Sequence, residues 1–225
     1  MIKRLIPLLL LLLAGCRSTT TSEPSLPENT LFFDEFVVGQ TGDWLTEGDD
    51  AAVTAVINER MLININEPQT MQFTTLNEPI FNNFTLDVDA VQVTGSPESS
   101  YGVLFRMNSP SEFYRFAIRG DGLYMIERHD PDGWTRFMKD WEPSTAIHQG
   151  VGQTNHIKVS AEGSAFSFYV NDIIVAQIDD GRYAQGNIAL DAGTFGQANL
   201  QIAFDNVLVT GDETAVVTTD PEQTE

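Results

Sequence analysis

The chain has 225 residues, with 32 Asp and Glu against 12 Lys and Arg, a net charge of -20 and a single cysteine. A surface this acidic repels phosphate backbones, so nucleic acid is excluded as a partner. One cysteine excludes intrachain disulfides and sites built from several thiolates.

Met1 to Gly15 begins with Lys3 and Arg4, continues as a nearly unbroken leucine run and ends Leu13-Ala14-Gly15-Cys16. A charged start, a short apolar segment and small residues before a break form the pattern of an export signal, and the run is too short for an ordinary membrane-spanning helix. Its ending resembles a bacterial lipobox. That resemblance implies lipid on Cys16 and cleavage just before it, giving a palmitate-bearing lipoprotein whose partner is a membrane; a plain secretion signal is the alternative. Acyl chains contribute about 0.8 kcal/mol per buried methylene, so two or three of them anchor a protein firmly. Loss of residues 1–15 removes two cations and no acid, taking the net charge from -20 to -22. Lipoproteins kept at the inner membrane of two-membrane bacteria often carry aspartate after the cysteine. Here Arg17 stands there, which favours the outer membrane of such a cell.

Arg17 to Asn29 is Ser, Thr, Pro and Glu with almost nothing apolar and reads as a flexible tether spanning roughly 20 Å. Asp212 to Glu225 is acidic and Thr-rich and reads as a disordered tail. The expected organisation is a signal peptide over 1–15, a lipidated N-terminus and linker over 16–29, one domain over 30–211 and a tail over 212–225.

Within the domain, Leu31 to Val38 predicts a strand, and Val53 to Ile57 with Met61 to Ile65 a hairpin around Asn58-Glu59-Arg60. Met71 to Leu76 predicts another strand. Phe84, Leu86, Val88 and Ala90 alternate with Thr85, Asp87 and Asp89 as in a half-buried strand. Three runs follow, Ser100 to Met107, Glu112 to Arg119 and Gly122 to His129, separated by turn residues. The Gly120-Asp121-Gly122 break suits a three-residue hairpin loop, which sets Ile118 opposite Tyr124, Phe116 opposite Ile126 and Arg115 opposite Glu127. Tyr114, Phe116, Ile118, Tyr124 and Ile126 then form a core face, with Arg115, Arg119 and Glu127 on the other. By alternation Arg106 shares the Arg115 face. Trp134 to Trp141 predicts a strand and Glu142 to Gln153 a loop. Asn155 to Ala161, Ala165 to Val170 and Ile173 to Ile178 predict strands joined by Glu162-Gly163-Ser164 and Asn171-Asp172, and Gly186 to Ala192 and Leu200 to Val209 close the fold. Many short strands and no convincing helix beyond the signal predict an all-β, two-sheet antiparallel sandwich.

Six of the twelve Lys and Arg residues (Arg106, Arg115, Arg119, Arg128, Arg136 and Lys139) fall between positions 106 and 139. One reading is a polar sheet face that grips a hydroxyl-rich or anionic ligand through guanidinium donors, with Trp134 or Trp141 as a stacking platform. The other is a solvated charge ladder in which these arginines pair with Asp87, Asp89, Glu112 and Glu127. His129, His148 and His156 lack the spacing of a metal site, and His156 is expected to be exposed.

Phe33-Asp34-Glu35-Phe36 with Trp44, Tyr101-Gly102-Val103-Leu104-Phe105-Arg106, Phe113-Tyr114-Arg115-Phe116, Gly122-Leu123-Tyr124, Asn155-His156-Ile157-Lys158-Val159, Phe168-Tyr169-Val170-Asn171, Gly186-Asn187-Ile188-Ala189-Leu190 and Phe204-Asp205-Asn206-Val207 together resemble the concanavalin A-like lectin and glucanase jelly rolls. Laminin G-like modules and the 3-keto-disaccharide hydrolase domain are the nearest of these. The resemblance implies a jelly-roll sandwich. It also implies a possible structural calcium where the first and last strands meet, with Asp34 and Asp205 at the matching positions, against solvated or turn-bonding aspartates as the alternative. The Glu-x-Asp-x-x-Glu strand motif of laminarinase-type glucanases has no counterpart here. The expected function is therefore a lipid-anchored cell-envelope protein that binds a glycan or other extracellular ligand without cleaving it, through Arg106, Arg115, Glu127 and Trp134. The alternatives are a sugar-processing hydrolase or lyase with Glu127 or a loop acid as base, and a structural subunit of an envelope complex.

Overall fold

A computed structural model describes residues 25–217. The signal, Cys16, most of the linker and the end of the tail lie outside the described residues. In chain order the strands begin with β1 (Thr30–Asp34), β2 (Trp44–Leu45), β3 (Ala52–Val56), β4 (Met61–Ile65), β5 (Met71–Leu76), β6 (Ile80–Phe81) and β7 (Phe84–Thr94). The middle of the chain supplies β8 (Ser100–Ser109), β9 (Glu112–Arg119), β10 (Leu123–Asp130), β11 (Gly133–Arg136) and β12 (Glu142–Pro143). The remainder are β13 (Thr154–Glu162), β14 (Ala165–Val170), β15 (Ile173–Asp179), β16 (Asn187–Gly193), β17 (Leu200–Thr210) and β18 (Val216–Val217).

Two eight-stranded antiparallel sheets face each other. The first runs β15-β14-β13-β7-β17-β4-β3 with β1 on β17, and the second runs β11-β10-β9-β8-β16-β5-β2 with β12 on β10. Period-two alternation explains the layering. Every second residue of β7, from Phe84 to Ala90, is buried against the opposite sheet, and its neighbours Thr85, Asp87 and Asp89 turn outward. Phe105 stacks on Tyr114 at 5.3 Å and packs edge-on to Phe166, so aromatic side chains from both sheets lock the layers together.

The turns follow local chemistry. Asn58 and Glu59 between β3 and β4, and Asn171 and Asp172 between β14 and β15, all have positive φ of 50 to 63°, the hand that two-residue hairpin turns require. Gly122 closes the β9–β10 turn at φ 90° and donates its N–H to the Arg119 carbonyl at 3.1 Å. The predicted register of that hairpin holds, with Ile118 against Tyr124, Phe116 against Ile126 and Arg115 against Glu127, and its predicted core face lies in the main apolar cluster.

Three expectations are corrected. The first strand stops at Asp34, because Phe36 adopts a left-handed conformation (φ 55°) and turns the chain. Of the predicted Trp134-to-Trp141 strand only residues 134–136 are extended in the sheet, as part of β11. Residues 212–217, read as the start of the tail, instead form a short 3-10 turn with buried Ala215 and then β18, which pairs with β6.

The outer face of the first sheet carries its own charge cluster. Asp87 and Asp89 do not meet the arginines; His156 and Lys158 on β13 take them instead. His156 donates through Nδ1 to Asp89 at 3.0 Å and through Nε2 to Asp87 at 2.8 Å, and Lys158 lies 3.2 Å from Asp87. His156 is thus half-buried rather than exposed. The two carboxylates outweigh burial and lift its pKa from 6.5 to about 9. A raised pKa contributes stability that is full below about pH 6.5 and is lost as pH rises through about 9; solvent screening reduces it to about 1 kcal/mol. His156→Gln is expected to lose that amount in urea unfolding near about pH 6 and almost nothing near about pH 10. Equal losses at both would show that the imidazolium is not the stabilising species.

Candidate functional site

On the outer face of the second sheet, Arg115 of β9 lies between two acids. Its Nη1 donates to Glu127 of β10 at 3.0 Å, its Nε to Asp191 of β16 at 2.7 Å, and its Nη2 to the Ser100 hydroxyl of β8 at 2.9 Å. All four side chains are buried. Glu127 is the direct cross-strand neighbour of Arg115, whereas Asp191 is reached across β8. Gly102 makes that reach feasible: it stands opposite both Asp191 and Ala117 and puts no side chain between them. A Cβ on Gly102 would also collide with the Phe116 carbonyl.

The electrostatics follow from burial. Desolvation works against the charged guanidinium, but Asp191 and Glu127 outweigh it and hold the Arg115 pKa above its ordinary value. Burial pushes the Asp191 carboxyl up, opposed by Arg115 and assisted by the like charge of Glu127. One Asp191 oxygen, Oδ1, has no hydrogen-bond partner among the described residues. Arg136 on β11 is exposed, with its Nε 3.8 Å from Glu127 Oε2. Two guanidinium groups therefore balance two carboxylates.

Above this cluster lies a hollow of about 450 Å³ whose lining includes Arg115, Glu127, Trp134, Arg136, Gly193 and Phe195. Trp134 is 45% exposed. It is held edge-on by His129 (4.5 Å between rings) and Phe113 (5.7 Å), and His129 is itself stacked on Phe113. Gly193 keeps the floor open, since a Cβ there would lie 3.0 Å from Ser100 Oγ. Beyond the charged part the same sheet face is apolar, formed by Leu104, Met107, Phe113 and Ala189 with Met71 and Phe73.

Of the residues predicted to share this face, the structure brings together Arg115, Glu127 and Trp134 and places Arg106 elsewhere. Arg106 takes φ 47°, and the pairing of β8 with β9 shifts between Phe105 and Ser109. This bulge breaks the alternation and turns the side chain inward over the Phe166 ring at 4.8 Å. Its guanidinium donates to the carbonyls of Asn82, Gly163 and Tyr183, so it fastens loops at one end of the sandwich. Trp141 is occupied internally, edge-on to Phe195 and under the Arg119 guanidinium at 5.3 Å. Asp191 and Ser100 were not anticipated. The signal for Asp191 is an acid inside the apolar run Ile188-Ala189-Leu190-Asp191-Ala192.

Asp34 and Asp205 do not fit a shared calcium. β1 does pair with β17, but the Asp34 carboxylate accepts N–H bonds from Phe36 (2.6 Å), Gly42 (2.7 Å) and the Trp44 indole (2.9 Å). Those dipoles turn their positive ends toward the position a cation would take. Asp205 lies 3.7 Å from Arg60 and accepts the Asn206 N–H. Among the described residues no group of three or more His, Cys, Asp or Glu is placed to hold a metal.

No family model matches the sequence, nor does any curated protein. Solved structures do match. The carbohydrate-binding module CBM66 from Bacillus subtilis is 18% identical with a TM-score of 0.60, covering 76% of this chain and 96% of that one. A Bacillus subtilis protein of unknown function with a galectin-like fold is 10% identical with a TM-score of 0.60, over 84% of this chain and 97% of that one. The laminarinase catalytic domain of Thermotoga maritima is 10% identical with a TM-score of 0.58, over 81% and 98%. At these identities the likeness is one of fold: the domain is a two-sheet jelly-roll β-sandwich.

Two measurements probe these assignments. Asp191→Ala leaves a buried guanidinium short of a partner and is expected to cost about 3 to 5 kcal/mol in denaturant unfolding; a loss near zero would mean that Arg115 is not fixed by this pair. Asp34→Ala is expected to cost about 3 kcal/mol through unpaired N–H groups, while millimolar calcium leaves the melting temperature of the wild type unchanged. A calcium-dependent rise abolished by Asp34→Ala would restore the metal reading.

Proposed function

We propose that the domain is a non-catalytic carbohydrate-binding module that takes a neutral, hydroxylated sugar ring into the hollow over Arg115. The observation that carries this reading is the pairing of a charge-balanced set of fixed donors and acceptors with the exposed face of Trp134. A sugar ring needs both: polar groups matched to its hydroxyls and an aromatic surface for its C–H face. Two carboxylates against two guanidinium groups, on a chain of net charge -20, favour neutral over anionic sugars. Glu127 contacts Arg115 through one oxygen and faces Arg136 through the other, which fixes it in place as an acceptor. Neighbours in fold that bear carbohydrate-related names agree with glycan binding in general terms. On the sequence evidence at Cys16, the module is displayed outside the cell membrane on a lipid anchor.

A glycan array carrying neutral and acidic sugars, probed with the soluble domain, tests this. Wild type is expected to retain neutral glycans, and Trp134→Ala to weaken them by about tenfold or more with unchanged unfolding. Retention of acidic glycans alone, or equal binding by the variant, would overturn the assignment.

A further inference from the structure

The β10–β11 hairpin at the sheet edge has two faces. Glu127, His129, Trp134 and Arg136 occupy the one toward the hollow already described, and by alternation Arg128, Asp130 and Thr135 occupy the other. There a second hollow, of about 380 Å³, is lined by Arg128, Asp130, Asp132, Thr135 and Arg182, and Trp134 borders it too.

The two hollows repeat one chemical arrangement. In the first, the buried Arg115 is bound by Glu127 and Asp191, with exposed Arg136 at the rim. In the second, the mostly buried Arg128 is bound by Asp130 at 2.9 Å and by Asp180, with exposed Arg182 at the rim, 3.5 Å from Asp130. Asp130 also accepts the Tyr183 hydroxyl at 2.7 Å. Burial tends to raise the Asp130 and Asp180 carboxyls. Tyr183 and Arg128 on the first, and Tyr114 and Arg128 on the second, outweigh it and keep both low and ionised as acceptors. Each hollow therefore offers fixed acceptors, a fixed guanidinium and one solvent-facing guanidinium, and one tryptophan borders both.

We infer that the second hollow is a further sugar subsite and that the ligand is an oligosaccharide passing from the Arg115 hollow over Trp134 to Arg182 and Asp132. The inference rests on the proposed function and extends it from a single ring to a chain. Arg182 and Asp132 are both exposed, so replacing either changes the subsite without removing the internal ion pairs of Arg128.

The test is an array of neutral single sugars and neutral oligosaccharides of increasing length, probed with wild type, Arg182→Ala and Asp132→Ala. Wild type is expected to bind oligosaccharides more tightly than single sugars. Each variant is expected to lose about tenfold on the longer glycans while matching wild type on single sugars. Equal binding of all lengths by wild type and variants would overturn the second subsite and leave the Arg115 site standing. No retention of any neutral glycan by wild type would remove both.

Discussion

A guanidinium taken out of water must be met by negative charge and by hydrogen-bond acceptors, and this requirement at Arg115 organises the outer face of the second sheet. Burial of an unpaired charge costs several kcal/mol, so β10 and β16 each bring a carboxylate to it and β8 brings a hydroxyl. Four strands are thereby tied at one point on a face that β-sandwiches commonly leave to solvent. Ser100 and Glu127, which satisfy Arg115, also line the hollow above it as fixed polar groups.

Gly102 and Gly193 are part of that arrangement. A side chain on Gly102 would meet the β9 backbone, and one on Gly193 would press on Ser100. Their absence opens the path from Arg115 to Asp191 and leaves room above the floor. Trp134 is fixed from the opposite side by His129 and Phe113, so its exposed ring is presented without being free to collapse into the hollow. A site built on strands in this way loses little entropy when it is filled.

Arg106 shows how one residue type serves two purposes. Its left-handed backbone turns it from the Arg115 face to the end of the sandwich, where three carbonyls receive it. Burial lowers its pKa with no carboxylate to compensate, so its neutral carbonyl partners work as a fastening rather than as an ion pair. Arg115, Arg128 and the His156 cluster instead pair with carboxylates, each on a different face. The many remaining carboxylates leave the outside strongly negative, which suits solubility and disfavours anionic ligands.

The sequence by itself determined most of the strands, together with the turn chemistry and register of the β9–β10 hairpin. Alternation at period two and the conformational needs of residues such as Gly122 and Asn171 are local properties, and a hairpin of known loop length has only one register. Hence the Arg115–Glu127 contact and the core face of Tyr114, Phe116, Ile118, Tyr124 and Ile126 are legible in the sequence. The tertiary structure alone decided that Asp191, 76 residues from Arg115, completes the site, because β16 and β9 become near neighbours only through the sheet order around β8. It alone decided that a bulge removes Arg106 from that face, and that N–H donors rather than a cation satisfy Asp34. Contacts between strands distant in sequence depend on how the sheets close, and no local pattern encodes that closure.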